Sequence, residues 1–376
     1  VRLAMLYLAF RNLFRHKIRL LIAVGGIALA LVLILALDAI VTGIEDQFTT
    51  YIDNSGADIF VAQEGIRNLH MVSSALPDLI VAQVKQVPGV ETVTPILYIS
   101  TTLDTGKDSH LVYLIGLPPT ATAGKPWRIA AGIAIPEAGQ IVVDSDMAKR
   151  DNLKLGDTIK VFGQPFKIAG LSEKTANLLN AIAFISLADF ARLRGSTNTV
   201  SFVLTTIKSG QLAQAVAGQI EQQVPGVTAL ARSDFADQER KVVIDMSADI
   251  INIMNLVGFL IGLTVMALTI YTATISLRTE YGLLKSVGAH NSHLYRVVLY
   301  QATANTLLGF ALALLITFLL ALAVPFFNSR LTLEITFVSL LKVGLLSLVI
   351  AAISAVLPIR QIAKLDPTKV FSGGKV

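Results

Sequence analysis

Two stretches of this chain, residues 250–277 and 302–327, contain no charged side chain. Each exceeds the roughly 20 apolar residues that cross a bilayer as a helix, so the chain is an integral membrane protein with at least two spans. Two further apolar runs complete a set of four. One covers residues 20–37 between Arg19 and Asp38; the other covers about 337–357 and contains Lys342 near its outer end, where a long side chain snorkels to the interface. The composition agrees: 53% of residues are hydrophobic, 15% are charged and the mean hydropathy is +0.66, whereas soluble domains carry ~25% charge.

Positive charge sets the orientation of the spans. Leu3, Leu6, Tyr7, Phe10, Leu13 and Phe14 share one helical face, with Arg2, Arg11, Arg15 and Lys17 mostly opposite, so residues 1–17 read as a cytoplasmic amphipathic helix. The first span, 18–43, is longer than the h-region of a signal peptide, and its Ala28-x-Ala30 lies inside the apolar run, so it reads as retained. The remaining spans fall at 250–277, 300–327 and 337–358, a one-plus-three layout. Arg278, Lys285 and Arg296 then place the 278–299 link inside, together with the 359–376 tail and its Arg360, Lys364, Lys369 and Lys375. The 328–336 link falls outside, and both termini are cytoplasmic.

Residues 44–249 are too many for a connector and form an extracytoplasmic domain. Strands are expected at 58–61, 90–103, 110–116 and 198–207, and helices at 77–87 and 210–224. A weak repeat supports two βαβ-like halves: Gln86-Val-Pro-Gly-Val90 and Gln223-Val-Pro-Gly-Val227 each stop a helix and lead into a strand. The halves are assigned to 58–118 and 198–235. Short strands and turn signals assign 119–197 to an inserted β-rich subdomain.

Catalytic chemistry finds little support. Neither a Gly-x-x-x-x-Gly-Lys-[Ser/Thr] loop nor a Gly-rich dinucleotide turn is present, so the chain binds no nucleotide by a known phosphate cradle and is not read as an enzyme. The chain has no cysteine, which excludes disulfides and thiolate metal sites. His290 and His293 are close in sequence but no third ligand stands near, so a solvated turn outweighs a metal site. Trp127, the sole tryptophan, reads as core or rim packing. The cations flank spans, which argues against nucleic acid as a partner.

Two patterns point instead to helix contacts. In the second span Asn255, Gly258, Gly262, Val265, Thr269, Thr272 and Ser276 share a face, and small residues at that spacing allow close helix approach. Packing within the chain and a homodimer interface, with Gly26 and Ala30 of the first span taking part, both fit; a substrate path lined by Asn255 fits less well. In the 278–299 link Leu283, Leu284 and Val287 recur at helical spacing, Arg278, Glu280 and Lys285 supply charge, and Gly288 is placed to end the turn. A short amphipathic helix of this kind either lies in the groove of a cytosolic partner or rests at the headgroups as a connector.

Arg278, Glu280, Tyr281, Gly282, Leu283, Leu284, Lys285, Val287, Gly288 and Ala289 resemble the cytoplasmic loop after the second transmembrane helix of FtsX/MacB-like (type VII) ABC-transporter permeases. The closing segment with Pro358, Arg360, Ala363, Leu365, Asp366 and Pro367 is similar to that family's C-terminal signature. Gln301 departs from the acidic residue often found there near the start of the third span. The resemblance implies a four-helix permease with a porter-like α/β domain carrying a sabre-like insert. It also implies a bacterial cytoplasmic (inner) membrane location and a 278–289 coupling helix docked on two copies of a separate ABC ATPase. ATP and Mg would sit on that partner and no cofactor on this chain. The assembly implied is a homodimer or a pair with a related permease chain, with room for a periplasmic adaptor. Export or extraction of a lipophilic or amphiphilic substrate is the implied activity. The alternatives are an FtsX-like regulator of cell-wall hydrolases and a lipoprotein-releasing permease.

Overall fold

A computed structural model describes residues 17–176, 180–195, 198–327 and 333–363. The amphipathic helix expected at 1–17 lies outside them except for Lys17, as do 328–332 of the outer link and 364–376 of the tail. The chain divides into two units, residues 44–246 and the remainder, and passes between them twice, each time inside a helix.

In the outer unit the strands are β1 (Ile59–Gln63), β2 (Leu76–Pro77), β3 (Val90–Asp104), β4 (Ser109–Leu117), β5 (Ile129–Gly132), β6 (Gln140–Asp144), β7 (Thr158–Val161), β8 (Gln164–Ser172), β9 (Ala181–Ser186), β10 (Thr199–Val200), β11 (Phe202–Ile207) and β12 (Val227–Ala231). One sheet runs β12-β1-β11-β3-β4-β9-β6-β8-β5, with β7 bridging β3 and β8. The helix that begins the described chain is α1 (Lys17–Asn54); α2 (Leu79–Gln86), α3 (Ser145–Arg150), α4 (Leu187–Arg194) and α5 (Ala213–Gln223) follow within the outer unit.

β1 and β3 both run antiparallel to β11, and β11 and β12 both run antiparallel to β1. Two βαβ units, β1-α2-β3 and β11-α5-β12, are therefore interleaved, which is the split βαβ arrangement. The repeated Val-Pro-Gly-Val marks the same event in each, the passage from helix to strand. Gly89 (φ +92°) and Gly226 (φ +78°) take the left-handed conformation there that a β-carbon would oppose. Strand alternation separates two cores. Ile59, Val61 and Val203 pack with Val84, Val216 and Ile220 of α2 and α5, while Phe60, Phe202 and Leu204 face the other way, toward Tyr51, Ile52 and Phe235. Because β1 is covered on both faces, it reads as a continuous apolar run.

The division expected at residue 119 differs from the ladder. Along β3, residues 90–96 pair with β11, whereas Leu97–Asp104 pair with β4. β4 in turn pairs with β9, so the β-rich part begins near residue 97 and includes the β3–β4 hairpin. The cause is length: a strand of 15 residues spans about 50 Å and serves two packing layers. Leu97, Leu103, Val112 and Leu114 accordingly share a core with Ile141, Val143, Ile185 and Phe190.

In the membrane unit, α6 (Arg232–Ser276), α7 (Arg278–Ser286), α8 (Asn291–Phe327), α9 (Phe337–Ser354) and α10 (Val356–Ala363) follow. Among the described residues four helices, those of α1, α6, α8 and α9 with α10, are long and apolar enough to cross a membrane. α1 continues past residue 43 and α6 begins well before 250. Their charged ends, with Asp46, Asp53, Glu239 and Arg240, end an apolar run without ending a helix. The fourth span breaks at Ala355, where Pro358 has no N–H for the carbonyl of Ser354 and its ring crowds that carbonyl.

Candidate functional site

The 278–289 segment forms α7 and its cap. Leu277 (φ −97°, ψ 9°) separates it from α6. The far end closes as a Schellman motif: Gly288 N–H donates to Lys285 O at 3.0 Å, Ala289 N–H to Leu284 O at 2.9 Å, and Gly288 has φ +94°. A defined stop of this kind holds the helix to two turns and frees the chain to enter α8.

The two faces of α7 differ sharply. Leu277, Tyr281 and Gly282 are buried, with Leu277 and Tyr281 in the apolar core that also holds Leu294, Val298, Ala355 and Ile362. The Tyr281 hydroxyl is enclosed with no hydrogen-bond partner among the described residues. Burial, and then the charge of Glu280, push it up to about 12, so it stays neutral. On the opposite face Leu283 is 53% exposed and Val287 82% exposed, with Leu284 and Glu280 exposed beside them; Arg278, in the first turn, is exposed as well. An apolar face this open on an otherwise packed helix calls for something to cover it.

Lys285 belongs to the inner side. Its ammonium donates to Ile362 O at 2.6 Å and to Ala363 O at 3.4 Å, the carbonyls at the end of α10. Carbonyl oxygens at the C-terminal side of a helix carry the negative end of its dipole, which suits a cation. Burial lowers the Lys285 pKa from its ordinary value. The residue thus joins α7 to the 358–363 segment, two features that sequence spacing treats separately. Of the C-terminal set, Pro358 is buried and Arg360 and Ala363 are exposed; Leu365, Asp366 and Pro367 lie outside the described residues. His290 and His293 have ring centroids 6.3 Å apart at the entry to α8, and no group of three metal-ligating side chains occurs among the described residues.

The Gly258–Gly262 part of the small-residue stripe of α6 is occupied from within the chain. A β-carbon at Gly258 would lie 2.7 Å from Ile34 Cγ1, and one at Gly262 would lie 3.4 Å from the Ala30 β-carbon and 3.3 Å from Ile350 Cδ1; one at Gly26 would strike Val265. Of the two readings of the stripe, packing of α6 against α1 is the one these contacts support, and the faces at Gly26, Ala30, Gly258 and Gly262 are already filled. Thr269 turns its hydroxyl to Val265 O of its own helix at 2.7 Å, and Asn255 is half-buried.

Residues 20–223 match the model of the MacB-like periplasmic core domain, and residues 252–367 match the FtsX-like permease C-terminal model. The chain is 22% identical over 371 residues to an uncharacterized ABC transporter permease of Mycobacterium tuberculosis, which covers 98% of this chain and 100% of that protein. A similar relation holds with an uncharacterized ABC transporter permease of Methanocaldococcus jannaschii, 20% identical over 400 residues, covering 97% of this chain and 96% of the relative. Among solved structures, the periplasmic region of MacB from Actinobacillus actinomycetemcomitans aligns with TM-score 0.40 and 14% identity, over 50% of this chain and 94% of that one.

Proposed function

Because this chain belongs to the MacB/FtsX-like family of ABC-transporter permeases, we propose that α7 is the surface on which a separate ATPase subunit acts, and that the chain carries nucleotide-driven movement to its outer domain. The observation that supports this reading is the asymmetry of α7. One face is locked into the membrane unit through Leu277, Tyr281 and the Lys285 contacts with α10, while Leu283, Leu284 and Val287 stand open. A helix fastened on one side and apolar on the other transmits force to its fixed side when a partner grips the open one. A connector resting at the headgroups needs no such lock.

The residues then divide by role. Leu283, Leu284 and Val287 would enter an apolar groove, with Arg278 and Glu280 at its rim; Lys285 would pass displacement to α10. ATP and Mg would be bound by the partner, and ATP hydrolysis there would be the energy source. The spans hold few ionisable groups to line a polar path, which favours a lipophilic or amphiphilic substrate handled on the outer side of a cytoplasmic membrane.

The test is ATP hydrolysis by a separate ABC ATPase subunit reconstituted in lipid with this chain. Val287→Asp with Leu283→Asp, on exposed positions where folding is unaffected, should abolish the chain-dependent part of turnover. Normal turnover in that double variant would remove the coupling role. With coupling intact, release of a fluorescent phospholipid from the vesicles, or activation of an added cell-wall hydrolase, separates the transporter from the regulator.

A further inference from the structure

The side chain of Arg240 joins the outward ends of α1 and α6. Arg240 donates from Nη2 to Asp53 Oδ2 and to Thr49 Oγ1, both at 3.2 Å, and from Nη1 to Asp237 Oδ1 at 3.0 Å; its Nε lies 3.9 Å from Asp46 Oδ1. Asp46, Thr49 and Asp53 follow one another at i, i+3 and i+7, so they form a single stripe on α1 facing α6. A planar guanidinium spreads its donors across such a stripe, whereas an ammonium presents a point charge.

We propose that Arg240 is a positioning residue that makes these two helix ends move as one lever, a role that rests on the coupling reading above. The alternative is that Arg240 merely holds the ends onto the outer domain, and the packing argues against it. Each end has its own anchor in the core. α1 buries Tyr51 and Ile52, with the Tyr51 hydroxyl donating to Gly124 O at 3.1 Å; α6 buries Phe235 and Ala236, with Phe235 stacked on Phe60 at 4.7 Å. Those anchors share one apolar core, and what Arg240 adds to it is a polar tie that reaches from α6 to the Asp46–Asp53 stripe of α1. The surrounding charges sharpen the point. A cleft of about 290 Å³ here is lined by Asp53, Asp58, Asp237, Arg232 and Arg240, with Asp46 close by, so without Arg240 three carboxylates, on α1 and α6, are left facing one another. Their screened repulsion, with Arg232 the remaining cation of the cleft, would loosen the contact between the two ends just where displacement of the spans must be delivered.

The absence of cysteine allows a clean measurement. Spin labels at Asn54→Cys and Lys241→Cys, both exposed, report the separation of the two ends in the full complex in lipid, with and without ATP. The native chain should give a narrow distance distribution that nucleotide leaves unchanged. Arg240→Ala should broaden it and make it respond to ATP, with Arg240→Lys intermediate; Asp53→Asn serves as a milder second variant should Arg240→Ala fold poorly. The Trp127 fluorescence melt should stay close to native, because the apolar anchors remain. A narrow, nucleotide-independent distribution in Arg240→Ala would overturn the proposal. Loss of ATPase stimulation in the native complex would instead refute the coupling reading, while the distribution without nucleotide would still decide for or against the tie.

Discussion

The membrane unit and the outer unit satisfy their buried polar groups in opposite ways. In the membrane unit most such hydroxyls turn back onto their own helices: Thr269 to Val265 O, Thr274 to Ile270 O, Ser354 to Ala351 O, and Thr306 to Ala302 O with Met266 Sδ of α6 also at 3.4 Å. In the outer unit they reach across the fold. Glu239, fully buried, accepts from Leu69 N–H at 2.6 Å and pairs with His70 at 2.5 Å, and Asp189 accepts from Gly139 N–H at 2.7 Å. The difference teaches how each unit is specified. Helices in lipid find partners by shape, through small residues, and can shift without breaking a hydrogen bond. The outer domain is fixed by long-range polar contacts that are satisfied in one arrangement only, beside its apolar cores.

Removing a long-range contact should therefore do the most damage. In Glu239→Leu the Leu69 N–H is left buried without its acceptor and His70 loses its partner, so the outer unit should lose about 3 kcal/mol or more. Trp127, packed against that core, reports the unfolding by its fluorescence. A loss below about 1 kcal/mol would show that polar contacts do not fix the domain, and the comparison would fail.

Shape should come second. In Gly258→Leu the new side chain meets Ile34, and overpacking of that kind costs about 1–3 kcal/mol. The readout is the midpoint of unfolding in mixed detergent, with Gly258→Ala giving a smaller shift in the same direction. An unchanged midpoint with an altered oligomer would move the stripe from intrachain packing to an interface between copies.

Acid provides a third and milder probe. Asp151 accepts from Thr105 Oγ1 at 2.5 Å and lies 2.8 Å from His110 Nε2. Burial alone would raise its carboxyl, but the hydrogen bonds from Thr105 and His110, with the charges of His110 and Lys107, hold it below the usual range. A carboxylate whose folded pKa is depressed contributes stability above its unfolded value, near ~3.9, and loses it as pH falls through the lower folded value. The outer unit should thus lose stability progressively below about pH 4, and Asp151→Asn should flatten that acid limb while lowering stability at neutral pH. Equal acid slopes in the two proteins would remove Asp151 from the account.

How much of this the sequence discloses follows from the same contrast. Spans are legible because hydrocarbon demands a long apolar run whatever the neighbours are. The split βαβ repeat was visible because Gly89 and Gly226 answer a local backbone need at each helix-to-strand passage. The Arg240 and Glu239 contacts were not, since their partners lie far along the chain and a charged stretch past a span gives no periodic signal. Nor was the inward role of Lys285. It sits at the right spacing for an exposed face, and only the carbonyls of Ile362 and Ala363 in α10 turn it inward. The boundary of the β-rich part was misplaced for a related reason: nothing in β3 itself marks where one partner strand gives way to another.

The smallest effect is also the most discriminating. Thr269→Val in α6 removes a hydroxyl whose acceptor, Val265 O, belongs to the same helix, and it replaces a β-branched side chain with one of the same shape. No donor or acceptor on another helix is left unpaired, so the midpoint of unfolding in detergent should move by less than about 0.5 kcal/mol, near the average of interhelical hydrogen bonds measured in membranes or below it. Thr269 is buried as Glu239 is, so burial alone predicts similar losses at both. A small loss at Thr269 beside a large one at Glu239 would show that the direction of the hydrogen bond, home to its own helix or across the fold, decides the cost. A loss above about 1 kcal/mol would mean that the hydroxyl reaches another helix, and that the spans too are fixed by polar contacts.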